Sequence, residues 1–195
     1  MFETITPIDF QILGAIQDTL ACPAMDTFFS FITHLGDSGL IWILITLVFL
    51  CVKRLRLIGI ASGIALLFVA IFGEFGIKLL VARPRPFMAD PSIELIISAP
   101  RGYSFPSIHS AFSFAAATIV CAVPALNKKH GKETSKLAWA IIIGIVILAV
   151  LIAFSRLYVQ VHFPSDVLAG SLFGILCGIA ALMITEHFIR KRFEK

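Results

Sequence analysis

The chain has 195 residues, 58% hydrophobic and only 14% charged, with a formal net charge of +4. Soluble domains average roughly 45–50% apolar and 25% charged residues, so these proportions exclude a soluble globular fold and place the chain in a bilayer. The length allows a single membrane-embedded domain, 1–195, with no linker, internal repeat or low-complexity tract to divide it.

The first ten residues carry Glu3 and Asp9 but no Lys or Arg. They lack the basic start of a cleavable signal peptide, so the N-terminus is expected to be retained. Over 8–33, polar Asp9, Gln11, Gln17, Asp18, Asp26 and Thr27 interrupt an apolar series that includes Phe10, Leu13, Leu20 and Phe29. This pattern predicts one or two amphipathic helices lying in the interface, broken near Pro23. A short apolar span comes next at 36–52, then full spans at 57–81, 107–126, 137–154 and 167–188. Each full span approaches the ~20 apolar residues that a crossing needs. The predicted fold is an all-α polytopic membrane helix bundle of five spans, or six if the N-terminal region also crosses. It divides into an amphipathic region, 1–35, a transmembrane core, 36–188, and a basic cytoplasmic tail, 189–195.

Charge sets the expected sidedness. Lys53, Arg54, Arg56, Lys128, Lys129, Lys132, Lys136, Arg190, Lys191, Arg192 and Lys195 all fall on one face of a five-span chain. Positive residues mark the cytoplasmic side, so the other face is expected to be extracytoplasmic, in a multi-pass protein of the cell membrane. That face holds Lys78, Arg83, Arg85, Arg101 and Arg156. Arg83 and Arg101 taken singly read equally well as headgroup anchors at helix ends. Five cations on the side normally poor in them call for an anion.

The residues around them supply phosphate chemistry. Pro106 and Pro164 suit first-turn helix positions, so Ser107, Ile108 and His109 are expected to present backbone N–H groups at a helix start, a natural anion site. Arg85 and Arg156 can grip phosphoryl oxygens in bidentate fashion while Lys78 supplies a point charge. Two histidines can then divide the labour, one attacking phosphorus and the other protonating the departing oxygen. Asp166 lies four residues after His162, close enough to hold one ring nitrogen protonated and leave the other to attack. His162 is therefore the expected nucleophile, His109 the acid–base residue, and Asp166 the group that orients His162. Glu74, four residues before Lys78, is expected to neutralise and position it. His34 and Asp37 stand close in sequence without other metal-type partners, and His130 and His187 sit near basic regions where solvation is expected. Cys22, Cys51, Cys121 and Cys177 have no metal-type spacing and read as small hydrophobic residues.

Lys78-(six residues)-Arg85-Pro86, Pro106-Ser107-Ile108-His109 and Ser155-Arg156-(five residues)-His162-(three residues)-Asp166 resemble, in this order, the three signature motifs of the type 2 phosphatidic acid phosphatase superfamily. The superfamily includes membrane lipid phosphatases, bacterial undecaprenyl diphosphate and phosphatidylglycerophosphate phosphatases, and vanadium haloperoxidases. The resemblance covers roughly 57–188 and departs at Ile108, where the superfamily usually has glycine. It implies a metal-independent lipid phosphatase with a phosphohistidine intermediate and no cofactor. Carried over by position, Lys78, Arg85, Ser107, Ile108 and Arg156 would bind phosphate, His109 would protonate the leaving group, His162 would attack and Asp166 would orient it. Pro86 and Ser155 would support the site from within the motifs. A glycine permits positive φ and close backbone approach, which a β-branched residue resists.

The expected substrate is a lipid phosphate or diphosphate drawn from the surrounding membrane lipids. Undecaprenyl diphosphate leads, with phosphatidylglycerophosphate or phosphatidic acid as alternatives. Nothing in the chain calls for nucleic acid, and nothing in it specifies an oligomeric state. A lipid phosphotransferase would use the same residues and differ only in what attacks the phosphohistidine. A non-enzymatic lipid-binding or transport protein would have no need for His109, His162 and Asp166 together.

Overall fold

The computed structural model describes residues 4–189, and the expected basic tail with Arg190, Lys191, Arg192 and Lys195 lies outside the described residues. Among the described residues all regular structure is helical. Helix α1, Thr6–Leu20, and α2, Pro23–Leu35, are separated where Pro23 starts the second. Their polarity differs from that of a simple interfacial pair. In α1 the inward residues are Asp9 and Leu13, whereas Ile8 and Ile12 are exposed.

The 36–52 span is also redrawn. Helix α3, Leu40–Cys51, has 12 residues and rises about 18 Å, short of the ~30 Å of a bilayer core. It joins α2 through a 3-10 turn, Asp37–Gly39, and the two helices, bent by 44° at that turn, together have the length and apolarity of a broken span or a re-entrant loop. Gly39 is left-handed, with φ 68, and packs so closely that an added Cβ would lie 3.0 Å from the Phe112 ring.

Helix α4, Arg56–Phe68, runs through a π-helical stretch, Val69–Ile77, into α5, Lys78–Val81. The wider π turn rotates α5 relative to α4, a device common at functional sites. Pro86 then opens a single turn, α6, Pro86–Ala89. Helix α7, Ile108–Cys121, is succeeded by α8, Val123–Lys129, α9, Lys136–Tyr158, and α10, Pro164–Ile184, which ends in a second π turn, Thr185–Ile189. Four helical stretches are long and apolar enough to cross a membrane: Lys53–Ala89, interrupted between Val81 and Pro86, Ile108–Lys129, Lys136–Tyr158 and Pro164–Phe188. The bent α2–α3 pair, counted as one span, brings the number to five. Each satisfies its backbone internally, as lipid demands.

The tightest seam is α7 against α10. Gly170, Gly174 and Gly178 face α7, and a Cβ at Gly170 or Gly174 would strike the backbone of Ser107 or Ala111. In lipid the hydrophobic drive between helices is weak, so small residues that let backbones touch carry the association. The opposite face of α10 exposes Leu168, Leu172, Leu176 and Met183, side chains suited to acyl tails. Of the four cysteines only Cys177 is buried, while Cys22, Cys51 and Cys121 are exposed.

Candidate active site

Every motif residue converges on one end of the bundle. Lys78 comes from the α5 end of its span, Ser107, Ile108 and His109 from the start of α7, Arg156 from the last turn of α9, His162 from the turn that precedes α10 and Asp166 from the first turn of α10. Lys53, Arg54, Lys128 and Lys136 stand at the other ends of the same spans. A cavity of about 400 Å³ opens at the motif end, lined by Lys78, Arg85, His109, Arg156 and His162 and walled on one side by Phe75 and Phe112.

His162 lies in the turn between α9 and α10 and is buried. Arg85 Nη1 stands 3.2 Å from His162 Nε2. A guanidinium can only donate, so Nε2 is the acceptor, with its lone pair available, and Nδ1 carries the proton. Nδ1 faces the Ser104 hydroxyl at 3.5 Å. Burial pushes the His162 pKa well below the ordinary histidine value, and the nearby positive charges of Arg85 and Arg156 push it further. The ring is therefore neutral at pH 7.

Asp166 reaches His162 less directly than its spacing implies. The Nδ1 to Oδ2 separation is 3.8 Å, too long for a hydrogen bond. The same Oδ2 accepts from the Ser104 hydroxyl and, at 2.9 Å, from the backbone N–H of Phe163, capping α10. Ser104 thus bridges carboxylate and imidazole. Asp166 Oδ1 accepts from Arg83 Nη1 at 2.7 Å, and Arg83 Nη2 donates to Asp9 Oδ2 at 2.8 Å. Arg83 is accordingly not a headgroup anchor: it is buried between two carboxylates, stacks on Phe163 and ties α1 to the start of α10. Asp9 further accepts from the Ser165 backbone N–H and hydroxyl.

The cations differ in what they have left to offer. Arg85 donates to the carbonyls of Gly102, Val161 and Arg101 as well as to His162, so it is not an open bidentate fork. Arg156 donates from Nη1 to Thr33 at 2.5 Å, and its Nε is buried without a hydrogen-bond partner. Lys78 Nζ donates to Glu74 at 2.6 Å. Glu74 is half-exposed rather than buried, and lines the cavity.

Ser107 occupies the N-cap position of α7 without a side-chain cap; its N–H donates to the Asp166 carbonyl at 3.0 Å and its hydroxyl accepts from Ser110. The amides of Ile108, His109 and Ser110 belong to the first turn, which has no partners within the helix. Pro106 is not in that turn; it precedes the cap, in a cis peptide with Phe105. Ile108 is helical and outside the positive-φ set, and its side chain packs against Gly73 in the core. Here the chain needs no glycine conformation. Pro86 is buried at the start of α6, and Ser155 donates to its own helix at Ile152.

His109 Nε2 lies 3.1 Å from Asp37 Oδ1. Sequence proximity pairs Asp37 with His34; the structure instead turns His34 to the Ser30 carbonyl and gives Asp37 to His109. His130 is half-buried beside Glu186, while His187 is exposed. Among the described residues no group of three His, Cys, Asp or Glu is arranged to hold a metal ion.

The model of the PAP2 superfamily matches residues 55–190. The chain belongs to this superfamily. An undecaprenyl-diphosphatase of Sulfolobus acidocaldarius is 34% identical over 80% of this chain and 68% of its own length. Among solved PAP2-like structures, LpxE of Aquifex aeolicus superposes with a TM-score of 0.70 at 26% identity, covering 90% of this chain and 95% of that one. A PAP2 type phosphatidylglycerolphosphate phosphatase of Bacillus subtilis superposes at 0.73 with 23% identity over 96% and 89%, a likeness of fold. The PAP2 chain described here is thus a multi-pass membrane phosphatase of lipid phosphates, a phosphoric ester hydrolase.

Proposed function

We propose that the protein hydrolyses undecaprenyl diphosphate to undecaprenyl phosphate through a phosphohistidine at His162, on the extracytoplasmic face of the cell membrane. The observation that carries the chemistry is the lone pair of His162 Nε2 held in a cavity ringed by Arg85, Arg156 and Lys78. The 34% identical undecaprenyl-diphosphatase supports the substrate. Segregation of Lys53, Arg54, Arg56 and Lys128 to the far ends of the spans supports the sidedness.

Nε2 attacks the terminal phosphorus, a P–N bond forms, and the P–O bond to the lipid phosphate breaks as His109 protonates the departing oxygen. Once Nε2 is bonded to phosphorus it no longer accepts from Arg85, and that N–H turns to a phosphoryl oxygen. Arg156 Nε, Lys78 and the α7 amides hold the remaining charge. The imidazole becomes cationic in this step, and Nδ1–H donates through Ser104 to Asp166, which stabilises it. Water deprotonated by His109 then attacks phosphorus, the P–N bond breaks, and inorganic phosphate leaves.

The deciding assay is phosphate release by purified protein in detergent with EDTA, with undecaprenyl diphosphate, phosphatidylglycerophosphate and phosphatidic acid compared. Release from the diphosphate, undiminished by chelator, is expected. Preference for either glycerolipid would reassign the substrate, and dependence on a divalent ion would overturn the histidine mechanism.

The tautomer gives an independent check. In protein labelled with 15N at histidine, the His162 ring is expected to remain neutral well below pH 6.5, with the proton on Nδ1. Protonation near the ordinary histidine value, or a proton on Nε2, would contradict a nucleophile held ready by Arg85.

A further inference from the structure

The turn between α2 and α3 lies outside the segment matched by the superfamily model, which begins at residue 55, yet it forms part of the cavity wall. It is fitted to one face of α7. At Gly36 an added Cβ would lie 2.8 Å from His109 Cδ2, and at Gly39 it would meet Phe112, three residues further along that face. Between them Ser38 holds a left-handed φ of 54, a conformation that non-glycine residues keep only when their surroundings impose it. This backbone delivers the Asp37 carboxylate to His109 Nε2 at 3.1 Å.

Resting on the phosphatase reading above, we propose that Asp37 is a positioning residue for the proton donor: it holds His109 through Nε2, so that Nδ1 passes the proton to the leaving oxygen. The step starts from the doubly protonated ring. As the P–O bond breaks, the Nδ1 proton moves to the departing oxygen and the ring is left neutral, with its remaining proton on Nε2 toward Asp37. Which nitrogen of a histidine acts is decided by what the other one binds. The same α2–α3 unit also supplies Thr33 to Arg156, so it braces both the donor and the phosphate cradle.

The test is how rate depends on the leaving group. Nitrophenolate departs without a proton, whereas phenolate benefits from one. Purified wild type, Asp37→Asn and Asp37→Ser are assayed on 4-nitrophenyl and phenyl phosphate, with inhibition by orthovanadate as a readout of an intact cradle. In both variants kcat/KM, which reports phosphoenzyme formation and not the later attack by water, is expected to stay within about twofold on 4-nitrophenyl phosphate and to fall about tenfold or more on phenyl phosphate, part of the range that general acids supply, with vanadate inhibition unchanged. Equal losses on both esters, or no loss on either, would overturn the role of Asp37 while leaving the phosphatase reading intact. Absence of phosphate release by wild type from both esters and from the lipid substrates would overturn that reading and this one with it.

Discussion

Replacing His162 with Ala is expected to abolish phosphate release, with a loss of at least about a thousandfold, and to remove the acid-labile phosphoenzyme altogether. A covalent mechanism has no substitute for its nucleophile, and residues that act as a unit lose nearly everything when one is removed. Rapid quench into alkaline detergent, in which a P–N bond survives, with 32P-labelled substrate separates this variant from His109→Ala. The latter keeps the nucleophile and is expected still to form phosphoenzyme, more slowly, and to retain it longer because attack by water has lost its base. His162 is buried and accepts from Arg85, so His162→Gln serves as a companion that preserves an acceptor. A His162→Ala protein that still trapped label would move the nucleophile elsewhere, with His109 the first alternative.

Arg83→Met is expected to destabilise the protein by about 3–5 kcal/mol, the range for removing one partner of a buried ion pair, and to inactivate it. Both Asp9 and Asp166 are buried and lean on this guanidinium. Without it two carboxylates face each other in a site that water does not reach. Asp9→Asn is expected to cost less, because Arg83 keeps Asp166. Thermal unfolding in detergent gives the ranking, and activity at a temperature where both variants remain folded gives the catalytic share. Equal melting of Arg83→Met and wild type would mean that the α1 anchor is held by other contacts. The catalytic share runs through Asp166, whose remaining partners are Ser104 and the Phe163 amide.

Legibility in the sequence falls off with distance along the chain. Long apolar runs announced the spans, because a bilayer imposes a length on each crossing. Lys78, His109, Arg156, His162 and Asp166 were legible because each sits in a compact motif. The pairs that escaped are non-local. Asp9 meets Arg83 across 74 residues, His109 meets Asp37 across 72, and Arg156 meets Thr33 across 123. No periodicity or propensity encodes such pairs. Ser104 escaped for a different reason: a loop serine has no local pattern, and its bridging position exists only once the start of α10 is folded beside it. The bend at Asp37–Gly39 was hidden as well, since α2 taken alone reads as amphipathic and reaches the length and apolarity of a span only through its join to α3. Arg83 was misread because a cation beside a helix end has a common use in headgroup anchoring, and only the carboxylate from α1 shows otherwise.

The glycine seam between α7 and α10 bears on how the two histidines keep their spacing. His109 rides on the first turn of one helix, and His162 immediately precedes the other. Where main chains touch, as at Gly174 and Ala111, there is no side-chain layer to compress or swell. The two histidines therefore travel on a single stiff body. A bilayer that thickens, thins or shears is expected to tilt that body as a whole, while the separation of the two rings stays set by contact between main chains.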